Sequence, residues 1–230
     1  MSRLFKSVAA VAVLALLAGC GNDKSGPNPM VSAIGAMAKQ SVAKAKAKKS
    51  GGTASAAKPA TPAELRAQLE AAGKPVLLAS SKTLGQTSFL GIADAKGDVI
   101  TWKTPDGATF SQRNGVLIQT RGLGSDLMSA QAPSVGQLLQ AGGSYQRVYY
   151  FLGDDDQGTR RTYDCTTAIT GKETIEVLGR SYSATRVTES CERPLGKLTN
   201  DYWIEGQSIR QSRQWVSGRI GSVDFQRVID

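Results

Sequence analysis

From Pro75 to the C-terminus the chain is a succession of short runs rich in β-branched and aromatic residues, cut by turn residues every ~8–12 positions. The runs cover residues 76–79, 87–93, 98–103, 109–113, 115–121, 144–152, 159–169, 173–177, 181–191, 200–205, 208–217 and 222–229. Several alternate strictly, as Tyr182, Ala184, Arg186 and Thr188 do against Ser183, Thr185 and Val187. That period of two places alternate side chains on opposite sheet faces. Asp94-Ala95-Lys96-Gly97, Thr104-Pro105-Asp106-Gly107 and Asn114-Gly115 are hairpin signals between adjacent runs. The pattern predicts an all-β domain, an antiparallel sandwich or a barrel-like meander. It breaks at residues 123–141, where one or two short helices are expected, notably around 135–140. A short helix also precedes the first strand. Thr61-Pro62-Ala63-Glu64 carries an N-cap, a proline at the first helical position and a capping-box glutamate. Leu65 and Leu69 share its face, and Gly73 and Pro75 stop it.

The N-terminus sets the compartment. Arg3 and Lys6 precede an apolar run from Ser7 to Ala18, too short to span a bilayer but fitting a signal-peptide core. It ends in Leu17-Ala18-Gly19-Cys20, which resembles the bacterial lipobox. The resemblance implies a diacylglycerol on the Cys20 thiol, cleavage before it and acylation of the new amino terminus. Several acyl chains anchor durably where one does not. Gly21 follows Cys20 in place of the aspartate associated with inner-membrane retention, so the outer membrane is the implied destination. Three segments result: residues 1–19 as signal peptide, 20–60 as lipidated cysteine and flexible Lys/Ala-rich tether, and 61–230 as one β-rich, periplasm-facing domain. The mature chain carries no apolar span. Its sparse aromatics and short runs also fit poorly with a membrane-spanning barrel, which needs aromatic girdles.

A net charge of +9 invites a nucleic-acid reading, but the charge is unevenly placed. Residues 20–60 hold seven lysines against one acid, Asp23, whereas residues 61–230 hold 19 basic and 18 acidic residues. The basic excess belongs to the signal and the tether, and nucleic-acid binding loses its support. Without a single histidine, Ser-His-Asp and Cys-His catalysis are excluded and the commonest metal ligand is missing. Once Cys20 is lipidated, Cys165 and Cys191 remain. Two lone sulfurs make a poor zinc site, and in an oxidising compartment they are expected to form a disulfide, with two separate buried thiols as the alternative. No cofactor or metal is implied.

Three composite blocks run through the predicted β domain. The first runs from Trp102 through Pro105-Asp106-Gly107, Asn114-Gly115-Val116-Leu117 and Thr120-Arg121-Gly122-Leu123-Gly124 to Asp126-Leu127-Met128. The second holds Tyr145, Arg147, Tyr149 and Tyr150 with Tyr163 and Cys165. The third is Asn200-Asp201-Tyr202-Trp203 followed by the stretch from Ile209 to Trp215. Together these blocks resemble the YjbF/GfcB lipoprotein family; the resemblance covers about residues 75–230 and implies a lipoprotein produced with exopolysaccharide or group 4 capsule export machinery. Export proteins or the polysaccharide are its implied partners. It carries over no catalytic residues, so a non-enzymatic accessory is expected. A glycan-binding module is the alternative, and a polysaccharide-modifying enzyme comes third.

Arg121, Asp126, Tyr202 and Trp203 are the candidate partner or glycan surface. In the stretch from Thr120 to Asp126, two glycines flank Leu123, and Arg121 and Asp126 could be presented to a ligand. The plainer reading is a glycine-shaped turn with Asp126 capping a short helix and Arg121 in an ion pair. Trp102, Tyr202, Trp203 and Trp215 could stack on sugar rings. Trp102 and Trp215 read better as core, and Tyr202 and Trp203 point to opposite sides of a strand. Asp154-Asp155-Asp156 lacks the distal glutamate of a calcium loop and reads as an exposed hairpin tip. Asp106 and Asp126 would serve as a glycosidase pair only if the fold brought them together.

Overall fold

The computed structural model describes residues 60–152 and 158–230. Its strands are β1 (Val76–Ser81), β2 (Gln86–Lys96), β3 (Val99–Lys103), β4 (Thr109–Arg113), β5 (Val116–Arg121), β6 (Leu127–Gln131), β7 (Ser144–Leu152), β8 (Gly158–Val177), β9 (Arg180–Arg193), β10 (Gly196–Glu205), β11 (Ser208–Ser217) and β12 (Gly221–Ile229). Helix α1 (Pro62–Ala71) precedes them and α2 (Val135–Leu138) lies between β6 and β7. All 12 strands join one antiparallel sheet in the order β5-β4-β3-β2-β1-β12-β11-β10-β9-β8-β7-β6. The first strand pairs with the last, Val76 opposite Ile229 and Ala79 opposite Phe225. The meander therefore wraps into a nearly closed barrel whose free edges, β5 and β6, face each other across a seam.

Antiparallel pairing sends successive turns to alternate ends. The turns after β1, β3, β5, β9 and β11 gather at one end, here the first end. The turns after β2, β4, β8 and β10, together with α1 and α2, belong to the second. Leu77, Leu90, Trp102, Phe110, Leu117, Leu127, Tyr149 and Phe225 point inward and form the main core. Tyr149 and Phe151 meet the Trp215 ring edge-on at 5.3 and 5.9 Å between ring centres. Both expected core tryptophans thus pack in the core, Trp102 fully and Trp215 from a half-buried position. Helix α2 plugs the second end with Val135 and Leu138 against Val187, Tyr202 and Ile204.

Helix α1 forms as its cap dictates. The Thr61 hydroxyl accepts from Glu64 N at 3.2 Å, and Thr61 N donates to Glu64 Oε2 at 2.7 Å. Leu65 and Leu69 pack on Val76, Val177, Tyr182 and Val228. The buried Arg66 then ties three elements by donating to the carbonyls of Val177 (2.7 Å), Leu178 (3.0 Å) and Val228 (2.8 Å). The β8–β9 turn sits so close to this helix that a Cβ on Gly179 would lie 2.9 Å from Ala63 N.

Two expectations need correction. Residues 127–131 form β6, although residues 123–141 read as a break in the β rhythm. The strand is short, and only its Leu127 is buried, so it carries little of the alternation that marks a strand. Residues 159–169 and 173–177 are one strand, because Gly171 (φ +134) absorbs a bulge in the β8–β9 ladder without ending it. Cys165 and Cys191 lie directly opposite in that ladder and are joined by a disulfide.

Candidate functional site

The loop from Thr120 to Asp126 joins the two edge strands, and its side chains sew the barrel shut. The Asp126 carboxylate accepts from Gly122 N (2.9 Å), Leu123 N (3.2 Å) and the Thr120 hydroxyl (3.0 Å). The same Thr120 oxygen accepts from Leu127 N at 3.0 Å. Arg121 spans the seam, donating to the carbonyls of Thr120 (2.6 Å), Leu127 (3.2 Å) and Met128 (3.4 Å). Asp126 therefore caps a loop and no helix, and Arg121 binds backbone carbonyls instead of forming an ion pair. An edge strand presents unpaired backbone groups, and here side chains take the place of the missing ladder. Gly122 (φ +83) lets the loop lie on the β3–β4 turn, since a Cβ there would stand 3.2 Å from the Ala108 backbone.

Deeper along the seam, the β5 edge is satisfied from inside the barrel. Leu117 N donates to Gln214 Oε1 at 2.8 Å, Gln214 Nε2 donates to Gly115 O at 2.8 Å, and Arg147 Nη2 donates to Leu117 O at 3.3 Å. Arg147 belongs to a sealed network. It pairs with Glu189 at 2.8 Å, with side-chain exposures of 1% and 0%. Tyr145 (2.7 Å), Asn200 (2.6 Å) and Tyr202 (3.1 Å) all donate to the same carboxylate. Burial alone would push Glu189 up, but the Arg147 guanidinium and the Asn200 and Tyr145 hydrogen bonds outweigh it and hold the carboxyl below the usual range. Burial, then the Glu189 charge, push the Tyr145 and Tyr202 hydroxyls up. The pairing is ionised and closed to solute, which makes it architecture.

Tyr202 is thus withdrawn from the candidate surface. It is 0% exposed because strand alternation turns it inward with Asn200 and Ile204. Trp203 faces outward, but the Arg186 guanidinium covers its ring at 5.2 Å from the centre and its indole N–H donates to Glu173. Asp201 holds Arg186 (3.3 Å) and Thr188 (2.7 Å) beside it. The sequence signal that marked Arg121 and Asp126 stood for the seam, and Arg147 and Glu189 escaped notice as a pair because 42 residues separate them. Cys165, Glu189 and Cys191 place ligand atoms within 4.8 Å of one another, but both sulfurs are spent in the disulfide. Cys20 and Asp154-Asp155-Asp156 lie outside the described residues.

What remains accessible is a cleft of about 260 Å³ in the barrel mouth at the first end. Its floor is Ala79, Phe110, Ile220 and Val223; its walls carry Ser81, Gln86, Ser88, Thr104 and Asp106; and its lip is Leu84 with Gly122 and Leu123 of the seam loop. A smaller cavity of about 140 Å³ lies toward the second end between Trp102, Gln112, Ile209 and Phe225. Asp106 and the seam loop that Asp126 holds do meet at the first cleft, yet Asp126 already spends its carboxylate on three donors.

No curated protein matches the sequence. The crystal structure of the hypothetical lipoprotein YmcC from Escherichia coli K12 aligns with a TM-score of 0.63 at 21% identity, covering 72% of this chain and 88% of its own. That likeness speaks to the fold alone. The family model described as group 4 capsule polysaccharide lipoprotein GfcB, YjbF matches residues 53–228. With three quarters of its length inside that match, and the blocks around Trp102, Arg147 and Tyr202 folded into one barrel, the chain belongs to the YjbF family of capsule polysaccharide lipoproteins.

Proposed function

We propose that this protein is a non-enzymatic accessory of capsule or exopolysaccharide export or assembly. Acyl chains on Cys20 hold it on the periplasmic face of the outer membrane, and residues 20–60 serve as its tether. The observation that carries this reading is the family match across the folded domain, residues 53–228. The lipobox ahead of it supplies the anchor. The accessory role is supported by how the barrel uses its charged groups. The strongest buried pair, Arg147–Glu189, is sealed, and Asp126 and Arg121 are committed to the seam. Export proteins and the polymer are its expected partners. A near-neutral domain gives nucleic acid no purchase.

Glycan binding is the second reading, favoured by the open cleft at the first end. A polysaccharide-modifying enzyme stays third, since it needs convergent free carboxylates there. The test is deletion of the gene and complementation with the wild-type chain or with a chain whose tether is halved. Surface polymer should vanish on deletion, return with the wild type, and return incompletely with the short tether. Unchanged polymer in the deletion strain would refute the export role, and full rescue by the short tether would refute a need for reach.

A further inference from the structure

We infer that the mouth cleft at the first end is a binding site for uncharged sugar residues, taken one or two at a time from the end or side of a polymer. This rests on the polysaccharide reading above and names the ligand class for that setting. Three observations carry it. The lining mixes donors and acceptors: the hydroxyls of Ser81 and Ser88 and the Gln86 amide can do both, the Thr104 hydroxyl keeps lone pairs to accept, and the Asp106 carboxylate is exposed at the rim. Sugar hydroxyls need that ambivalence, because each donates one hydrogen bond and accepts others. The floor and lip are apolar, with Phe110, Val223, Leu84 and Leu123 placed to cover the C–H face of a ring. Leu84 is 42% exposed, a large apolar side chain left at the edge of a polar cleft. Among the described residues no Lys or Arg lines the cleft, while Asp106 does. A uronate or other acidic sugar would meet the Asp106 charge with no cation in the lining itself, so the site selects against anionic residues.

The cleft is also held in shape before any ligand arrives. Asp126 fixes Gly122 N and Leu123 N, and so fixes one lip. Ser81 Oγ accepts from Leu84 N at 3.2 Å, which fixes the other. Thr104 ties across its own turn by donating to Ala108 O at 3.0 Å. Lips held this way lose little freedom on binding, which favours affinity. The cleft residues Ser81 and Leu84 lie at the far end of β1 from Val76, where the chain enters the barrel after α1. The site therefore opens away from the end at which the tether joins the domain.

The experiment is saturation-transfer NMR and titration calorimetry on the full-length mature protein in detergent. The probes are maltotriose, cellotriose and triacetylchitotriose, with trigalacturonate as the charged control. At least one neutral trisaccharide should bind and trigalacturonate should not. Asp106→Ala and Leu84→Glu, both at exposed positions, should each weaken binding about tenfold, the loss of one good contact. Near-ultraviolet circular dichroism establishes that both variants are folded. Binding of trigalacturonate in preference to the neutral sugars overturns the inference, as does silence from all three neutral probes or binding that survives both changes. Surface polymer in a strain carrying Asp106→Ala separates the two claims. Loss of polymer on deletion with no binding by the purified protein overturns the cleft and leaves the export role standing. Binding without any effect of deletion does the reverse.

Discussion

At the residue scale, the barrel is organised around one buried charge pair that sequence spacing does not reveal. Arg147 and Glu189 are each 0% exposed as whole residues, and the side chains that touch Glu189 come from β7 (Tyr145 and Arg147) and β10 (Asn200 and Tyr202). Removing one partner strands the other charge, at a cost of about 3–5 kcal/mol. Glu189→Gln should lower the unfolding free energy at neutral pH by that order, read from denaturant melts. The acid response should change too. The folded Glu189 carboxyl sits below its ordinary 4.5, so the unfolded chain binds the extra proton. Its contribution is complete above that ordinary value and is lost as pH falls through the depressed folded value. The wild type should therefore lose stability in acid more steeply than Glu189→Gln, while Asp230 and Glu64, also held low, leave part of the slope in both. Equal slopes would show that Glu189 is not ionised in the folded barrel.

At the element scale, closure is the distinctive problem, and side chains solve it. β5 and β6 leave a seam that Arg121, Thr120 and Asp126 bridge from the loop, while Gln214 and Arg147 satisfy the β5 edge from within. Arg121→Ala should cost about 1–3 kcal/mol, because it leaves buried carbonyls unpaired. It should also speed amide exchange in β5 and β6 ahead of the other strands, as mass spectrometry of exchanged peptides would show. Uniform protection would mean the seam is not the weak edge. The disulfide pins the open end of the long β8–β9 hairpin, and replacing both cysteines with serine should cost about 3 kcal/mol in thermal or chemical unfolding.

Much of this was legible in the chain. The cap at Thr61, the Asn114-Gly115 turn and the alternation around Tyr182 each state a local preference that the fold keeps. β6 was not legible, because its five residues expose most of their side chains and rely on pairing with β7. The seam was half legible. Glycines and opposite charges drew attention to residues 120–126, but which groups they bind depends on the barrel bringing residues 121 and 127 together. Arg66 carried no signal of its own in the sequence. Its role depends on carbonyls more than 100 residues away.

At the scale of the whole molecule, the charge map and the barrel divide the work. The cationic excess lies in residues 1–60, and the folded domain is close to neutral. The barrel encloses the Arg147–Glu189 pair and leaves an open cleft, with Asp106 in its lining, at the end away from Val76, where the chain enters β1. Such a molecule is suited to being held at a membrane and presented to polymer or to export proteins. That account stands on acylation at Cys20. Intact mass and membrane fractionation of the native protein beside Cys20→Ala test it most directly. The account predicts a native protein that begins at Cys20, carries acyl mass and sediments with the outer membrane, and a variant that does neither. A native protein that is unacylated and soluble would contradict it.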